Sequence, residues 1–174
     1  LRTQVSVNLI GTLLGTQGFL PHFRQQRSGH FIHVASLGGI VPMPGEAVYS
    51  ATKFAVRGFC LALALELQGT PIKVSVVCPD SVRTPMLVRE ALHDSSSLSF
   101  SGSLLEPADV ANAIIHTILS PKREVLVPSF RGWLCKLGDF WPGLMSVLYR
   151  LLDRMGQRGR EKFLEELHER LSTH

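Results

Sequence analysis

Cysteine is scarce in this sequence of 174 residues, and its three cysteines are scattered at positions 60, 78 and 135. An odd, widely spaced set cannot form a complete disulfide framework, and it lacks the close pairs that zinc sites use. We therefore expect reduced thiols in an intracellular or cytoplasmic protein, and no metal site. The GxSxG motif of acyl-transfer hydrolases is also missing, which argues against a hydrolase.

A cluster of charge of one sign is also lacking. The chain carries 18 Lys and Arg against 14 Asp and Glu, a net charge of +4. Residues 1–129 hold ten basic and eight acidic side chains, and residues 130–174 hold eight and six. Because nucleic-acid binding needs a basic patch or stripe, nucleic acid is not an expected partner. A hydrophobic fraction of 45% with 18% charged residues instead predicts one globular domain with a sizeable core.

No glycine-rich turn between a first strand and a first helix is found. The sequence opens at Leu1 without a methionine, and its first segment already has helical periodicity. Gly11, Gly15 and Gly18 lie inside that segment, so close helix packing explains them better than phosphate binding. We expect the sequence to be the carboxyl-terminal part of a longer protein, with a strand, a glycine-rich turn and a helix upstream.

Apolar periodicity divides the chain into alternating helices and strands. Helices are predicted over residues 3–26 and 46–68 and after Glu106, and strands over residues 30–36, 72–79 and 124–127. Alternation of this kind, with β-branched residues in the second strand, is typical of a parallel sheet covered on both faces.

Tyr49 and Lys53 are four residues apart in the second predicted helix, and therefore share one helix face. A nearby ammonium favours the phenolate, so the pair predicts a lowered pKa for Tyr49 and a role as general acid or base. The YxxxK motif is weak evidence by itself, because such pairs arise by chance on many helix surfaces.

Ser36 ends the apolar strand 30–36 and is followed by glycines that break it. A hydroxyl in this place lies at the carboxyl end of a strand, where open α/β sheets bind ligands. With Asn8 upstream and the sequence PDSVRT at residues 79–84 downstream, the chain resembles the short-chain dehydrogenase/reductase family. The resemblance covers about the first 128 residues and rests on the order and spacing of these features.

The resemblance implies a Rossmann-like, doubly wound parallel α/β fold and NAD or NADP as the cofactor. It gives Tyr49 the proton transfer, Ser36 the polarisation of the substrate oxygen and Asn8 a proton relay. Lys53 would lower the pKa of the tyrosine and bind the nicotinamide ribose. The cofactor-binding residues implied in this way are Tyr49, Lys53, Pro79, Val82 and Thr84, of which the last two would hold the nicotinamide carboxamide.

The sequence departs from the family pattern at Asp80, where glycine is usual. Glycine adopts backbone angles that aspartate adopts less readily, so the change is expected to alter the nicotinamide pocket. The resemblance also implies a homodimer or tetramer formed through the first two helices. The alternative is that the second helix is buried within one subunit.

Two regions lie outside these motifs. Residues 85–105 combine an apolar start with a serine-rich stretch, and predict either a substrate lid with a flexible polar tip or a surface connection. From residue 131 onward, apolar residues recur at helical spacing, clearly over 144–155 and more weakly over 157–171. Core packing, a cap at the substrate mouth and peripheral membrane contact through 131–156 are the alternatives. No apolar run in this tail approaches the about 18 residues that a bilayer span needs.

The sequence therefore predicts the catalytic half of a Rossmann-like oxidoreductase domain in residues 1–129 and an amphipathic helical extension in residues 130–174. The expected reaction interconverts an alcohol and a carbonyl group on a hydrophobic small molecule, such as a lipid, retinoid or steroid. Two alternatives remain open. One is a truncated or non-catalytic relative that acts as a dimerisation module, and the other is a membrane-surface protein whose tail is the functional part.

Overall fold

A sheet of three parallel strands forms the centre of the fold. The computed structural model describes residues 1–92 and 97–172, without the side chains at positions 142, 144–146 and 171. Strands β1 (Gly29–Val34), β2 (Ile72–Pro79) and β3 (Glu124–Val127) lie in the order β1-β2-β3. The predicted α/β fold with a parallel sheet is confirmed, and this sequential order is that of one half of a doubly wound sheet.

The middle strand, β2, is the most deeply buried. Every residue of β2 except Lys73 is buried, as expected for a parallel strand covered on both faces. Val74, Val76 and Cys78 alternate onto the face that forms the main core. On the opposite face, the Ser75 hydroxyl is satisfied by a hydrogen bond with His30 of β1 (2.8 Å).

The first helical segment is continuous but changes its geometry once. α1 (Arg2–Val5) passes into a π-helical turn (Ser6–Ile10), from which α2 (Gly11–Gln26) continues. The helix predicted over residues 3–26 is therefore confirmed. Asn8 lies in the π turn, a wider geometry that frequently marks functional positions.

Helix α3 (Ala47–Glu66) packs on β2 and buries Val56, Cys60 and Leu63 in the main core. Within the described residues, α3 is the one helix long and apolar enough to cross a membrane by length and composition alone. Helices that cover a sheet pass the same test, so this is weak evidence for a membrane span.

The loop after β1 fits closely against α3. It forms a 3-10 turn (Leu37–Gly39) in which Gly39 lies against the backbone carbonyl of Lys53. A Cβ at position 39 would lie 2.6 Å from that oxygen, so only glycine allows this approach. The contact brings the end of β1 and the first turns of α3 together.

The predicted lid region contains α4 (Pro85–Leu92) and a second 3-10 turn (Ser97–Phe100). The short apolar helix is confirmed. The expected flexible polar tip is wrong over the 3-10 turn, because Leu98, Ser99 and Phe100 are buried. Phe100 packs against Phe163 from the tail, with ring centroids 5.5 Å apart. Ser95 and Ser96, which belonged to the same expectation, lie outside the described residues.

The rest of the chain is mainly helical. α5 (Pro107–Leu119) begins with a capping box between Glu106 and Asp109, and leads into β3. α6 (Ser129–Phe140) and α7 (Pro142–Ser172) then form the tail, so the two predicted repeats belong to one helix of 31 residues. The division of the chain into two parts at residue 130 stays a prediction. Leu144 and Leu171 belonged to the predicted apolar pattern, but their side chains are not among those that the structure describes.

Gly156 and Gly159 allow α7 to approach the lid. A Cβ at position 156 would overlap the carbonyl group of Ser97, and one at position 159 would overlap that of Phe100. These glycines are one turn apart and face the same way, so they form a flat strip on the helix. The backbone of the second 3-10 turn lies against this strip.

We expect Gly156→Ala and Gly159→Ala each to destabilise the fold by about 1–3 kcal/mol, because an added methyl group must displace the lid backbone. For a chain of this size each kcal/mol lowers the Tm by about 2–4 °C, which circular dichroism can follow. Gly143→Ala in the same helix is the control, since nothing lies within 4 Å of a Cβ there. Equal melting temperatures for the three variants would contradict the close approach.

Candidate active site

One cavity of about 520 Å³ lies at the carboxyl ends of β1 and β2. Three segments meet there: the loop after β1, the turn after β2 and the beginning of α3. The cavity is lined by Ser36, Tyr49, Lys53, Pro79, Val82 and Thr84, so it brings together six of the seven residues predicted for catalysis or cofactor binding.

Ser36 lies two residues beyond β1 and begins the first 3-10 turn. Its Oγ accepts a hydrogen bond from the Gly38 N–H (3.0 Å), and the hydroxyl lies close enough to the phenol of Tyr49 to act on the pKa of that group. Gly38 leaves space for the aromatic ring, since a Cβ there would lie 3.4 Å from the Tyr49 Cε1. The serine hydroxyl is therefore fixed between a backbone amide and the tyrosine.

Tyr49 and Lys53 share one face of α3, as their spacing predicts. The Lys53 Nζ lies 5.7 Å from the centroid of the Tyr49 ring. The same nitrogen donates a hydrogen bond to the backbone carbonyl of Val34 at the end of β1 (3.2 Å). Burial lowers the pKa of Lys53, because the ammonium has lost much of its hydration.

The pKa of Tyr49 is raised above its ordinary value of 10.0, so the predicted lowering by Lys53 was wrong for this structure. Burial is the largest cause, and the nearby carboxylates of Glu46 and Glu90 act in the same direction. The hydrogen bond with Ser36 acts in the opposite direction. The spacing of Tyr49 and Lys53 reveals the nearby cation but not these two acids. The phenol therefore keeps its proton at neutral pH.

Asn8 is not among the residues that line the cavity. Its Nδ2 donates a hydrogen bond to the Thr52 Oγ1 (3.1 Å), and Thr52 in turn donates to the backbone carbonyl of Tyr49 (2.7 Å). Asn8 is thus linked to the backbone of α3 next to Lys53. The proton relay assigned to Asn8 stays a prediction.

The turn after β2 is held by contacts with β3 and the lid. The Asp80 N–H donates to the Val127 carbonyl (2.7 Å), and Val82 forms a parallel bridge with Leu105. The Thr84 Oγ1 accepts a hydrogen bond from the Leu87 N–H (3.4 Å), so this hydroxyl caps α4 as well as bordering the cavity.

Asp80 forms an ion pair with Arg131 of α6, and both side chains line the cavity. Burial raises the pKa of Asp80, while the Arg131 guanidinium acts against that rise. Arg131 also donates a hydrogen bond to the Ser101 Oγ (3.1 Å), so it joins the turn, the lid and the tail. Sequence reasoning missed Arg131. The available signal was Asp80 itself, because a buried carboxylate needs a cationic partner.

Glu46 and Glu90 are two further acids in the cavity wall that sequence reasoning missed. Burial, together with repulsion from Glu90, raises the pKa of Glu46 to about 7. Burial also raises the pKa of Glu90, against the effect of a hydrogen bond with Ser99. The signal for Glu90 was its spacing, since it shares a face of α4 with Met86 and Leu87.

A sequence model described as short chain dehydrogenase matches residues 1–94, more than half of the chain. The chain belongs to the short-chain dehydrogenase family. The matched part of this short-chain dehydrogenase sequence includes every residue that was predicted for catalysis or cofactor binding.

Curated members of the short-chain dehydrogenase family resemble the chain over most of its length. Estradiol 17-beta-dehydrogenase 11 from Homo sapiens is 34% identical over 148 residues, which are 83% of this chain and 47% of the relative. The oxidoreductase SadH from Mycobacterium tuberculosis is 29% identical over 161 residues, 87% of this chain and 57% of the relative. The chain thus spans about half the length of the curated relatives it matches.

Solved short-chain dehydrogenase structures share the fold. A short chain dehydrogenase from Burkholderia cenocepacia in complex with NADP has a TM-score of 0.68 at 22% identity, over 87% of this chain and 60% of that one. The closed form of serine dehydrogenase with NADP⁺ has a TM-score of 0.61 at 28% identity, over 70% and 52%. Actinorhodin polyketide ketoreductase with NADPH has a TM-score of 0.58 at 32% identity, over 68% and 53%.

We expect Glu46→Gln to remove part of the pH dependence of stability. The folded-state pKa of Glu46 lies above its ordinary value. The contribution of this carboxyl to stability is therefore largest at low pH, where it is protonated in both the folded and the unfolded state. That stability is lost as the pH rises from 4.5 to about 7. Relative to the unmodified chain, the Glu46→Gln variant should gain in Tm across this window.

Melting curves recorded through the same pH window test this expectation. Glu165→Gln makes the same chemical change at an exposed position of α7, and should follow the unmodified chain throughout. If the Glu46→Gln profile also runs parallel to that of the unmodified chain, Glu46 has no raised pKa.

Proposed function

We propose that this chain is the catalytic half of an NAD(P)-dependent oxidoreductase that interconverts an alcohol and a carbonyl group. The observation that carries the proposal is that Ser36, Tyr49 and Lys53 border the same cavity as the turn at residues 79–84. Because the chain spans about half the length of its curated relatives, the proposed activity is that of the whole protein.

The cavity wall fits the nicotinamide end of a dinucleotide. An ammonium, hydroxyl groups and apolar side chains suit a ribose and a flat ring with a carboxamide, and Lys53, Tyr49, Pro79, Val82 and Thr84 provide this set. Family members of known structure carry NADH, NADP or NADPH, which supports NAD or NADP as the cofactor. When bound, the nicotinamide supplies or accepts the hydride, and the residues of this chain position the substrate and move the proton.

Tyr49 holds the proton that carbonyl reduction requires. Its raised pKa keeps the phenol protonated at neutral pH, so it can donate to the carbonyl oxygen of a substrate. Ser36, held by the Gly38 N–H, can donate its own hydroxyl hydrogen to the same oxygen. Burial and the carboxylates of Glu46 and Glu90 oppose the phenolate, which forms when Tyr49 donates its proton in reduction and must be present before Tyr49 accepts one in oxidation. The raised pKa therefore assigns no preferred direction to the site.

A hydrophobic substrate accounts best for the rest of the cavity. Apolar side chains from α4, from the second 3-10 turn and from the tail line it: Met86, Leu87, Leu98, Leu134, Leu148 and Leu152. Ligand sites are usually lined in this way, with a few polar groups that fix the orientation. The relative estradiol 17-beta-dehydrogenase 11 is named for a steroid, which supports a steroid or lipid alcohol or ketone as the substrate class.

The exposed apolar side chains of α2 and α3 support a homodimer or tetramer. Leu14, Phe19 and Leu65 are each about 60% exposed, and a second copy of the chain would remove them from water. We expect light scattering to return at least twice the chain mass of 19.2 kDa. Leu14→Ser with Phe19→Ser should lower that mass, whereas Ile118→Ser with Leu119→Ser on α5 should not. A monomer at every concentration would contradict this assembly.

The Asp80–Arg131 ion pair favours a second candidate function. Both side chains border the cavity, and Asp80 stands where the family pattern has glycine. A relative whose cofactor end is occupied by its own side chains would not bind a dinucleotide, and would act as a dimerisation module instead.

We expect Tyr49→Phe to lower the turnover of a panel of hydrophobic ketones with NADH or NADPH by about 10²–10⁴-fold, because it removes only the proton donor. Dinucleotide binding should change little. Melting curves with NAD, NADH, NADP and NADPH measure it, since a ligand at 100 times its Kd adds about 2.7 kcal/mol of stability.

The matched control is Tyr149→Phe, which makes the same change on α7 beside a separate polar pocket. Its turnover should equal that of the unmodified chain. Substantial turnover by the Tyr49→Phe variant would refute the proton-donor role. If none of the dinucleotides raises the Tm of the unmodified chain or of the whole protein that contains it, the non-catalytic candidate is favoured.

A further inference from the structure

The tail exposes large apolar side chains that the fold does not cover. Six of them, which we call the α6–α7 face, are between 56% and 83% exposed: Trp133, Leu137, Phe140, Trp141, Val147 and Leu151. Single exposed apolar residues are normal, but a continuous group of this size usually marks a binding surface. Because α6 and α7 contact each other, the six residues belong to one helical hairpin.

The α6–α7 face continues into the cavity. Leu137 belongs to the face and also lines the cavity, together with its neighbour Leu134. Leu148 and Leu152 line the cavity from α7, one residue beyond Val147 and Leu151 respectively. Leu137 therefore connects the exposed hairpin with the cavity that Tyr49 also lines. Core packing is one of the alternatives for the tail, but these side chains are exposed or line the cavity and are not packed in the core.

Basic side chains accompany the apolar ones. Arg150, Arg154 and Arg158 recur every four residues on α7, and all three are exposed. Residues seven apart lie almost above one another on a helix, so Arg154 follows Val147 and Arg158 follows Leu151 on one side. Residues 129–160 contain six basic and two acidic side chains. An apolar surface with arginines beside it is typical of helices that lie in a membrane interface.

We propose that the α6–α7 face docks on a lipid bilayer that carries anionic headgroups. Trp133, Phe140 and Trp141 enter the boundary between headgroups and acyl chains, where aromatic residues are favoured. Arg150, Arg154 and Arg158 contact the headgroup phosphates and carboxylates. Docking in this orientation opens the cavity towards the acyl region, from which an apolar substrate can enter without crossing water. The docking itself does not depend on the proposed oxidoreductase activity.

A second copy of the chain fits this face less well. In a twofold contact the same patch lies on both sides, so two copies would bring six arginines into one interface. Juxtaposed like charges are costly in an interface. An anionic bilayer instead pairs the arginines with opposite charge.

The two tryptophans of the chain provide a direct test, because both belong to the α6–α7 face. We expect their fluorescence to shift to shorter wavelength with vesicles of phosphatidylcholine and phosphatidylserine, and to be quenched by acyl-brominated phosphatidylcholine in those vesicles. Vesicles of phosphatidylcholine alone should bind more weakly. Added salt should weaken binding to the anionic vesicles, because it screens the arginines. Sedimentation with the same vesicles gives the bound fraction.

Variants separate the apolar contribution from the basic one. Phe140→Ser with Trp141→Ser should lower vesicle affinity at least tenfold. Arg150→Gln, Arg154→Gln and Arg158→Gln together should lower it on the order of 10²-fold, and only for anionic vesicles. The matched control is Ile118→Ser with Leu119→Ser, which removes exposed apolar residues from α5 and should bind as the unmodified chain does. Tyr49→Phe should also bind normally, which keeps this test apart from the enzymatic one.

Three results would overturn the proposal. The first is no bound fraction with a chain that melts cooperatively, and the second is an equal loss of binding in the α5 control. The third is a soluble oligomer that does not bind vesicles and that the double substitution Phe140→Ser with Trp141→Ser converts to a smaller species. That result would make the α6–α7 face an interface between copies of the chain.

Discussion

The contact between α3 and β2 is the interaction on which the site depends. β2 is buried on both faces, and α3 covers one of them through Val56, Cys60 and Leu63. This packing sets where the first turns of α3 begin, and therefore where Tyr49 and Lys53 lie. The loop after β1 can reach these turns only because Gly39 has no side chain against the Lys53 carbonyl. The geometry of the candidate site is thus a consequence of core packing and of one close backbone contact.

The second part of the cavity wall comes from the far end of the chain. α6 and α7 supply apolar side chains, and Arg131 reaches back to the turn after β2 through Asp80. Gly156 and Gly159 allow α7 to lie directly on the lid backbone. The second 3-10 turn is therefore held between α4 and the tail, and its buried Ser99 belongs to a packed element. The tail is part of the site and not an appendage to it.

The sequence predicted the strands and the main helices, and the cavity brings together six of the seven residues that were assigned to catalysis or cofactor binding. The elements follow from short-range patterns, such as the β-branched run in β2 and the helical spacing in α3. Of the site residues, Tyr49 with Lys53 and Ser36 have such local signals, whereas Pro79, Val82 and Thr84 were implied by the family resemblance. Glu46 lies three residues before Tyr49, at the N-cap of α3, so its carboxylate was within reach of a local pattern. Glu90 was not, because its closeness to Tyr49 depends on where α4 lies. The predicted direction of the Tyr49 pKa failed because burial outweighs the neighbour one turn away, and the two carboxylates act with burial. Pairing of Asp80 with Arg131 spans 51 positions, beyond the reach of any local pattern.

Glu46 makes ligand binding in this cavity a proton-linked event. With a pKa of about 7, the carboxyl is held partly protonated at neutral pH. A molecule that changes the surroundings of this carboxyl as it binds will favour one of the two forms, so it will take up or release a fraction of a proton. The heat measured by calorimetry will then include the ionisation heat of the buffer. The apparent affinity will change with pH even for ligands that have no ionisable group of their own.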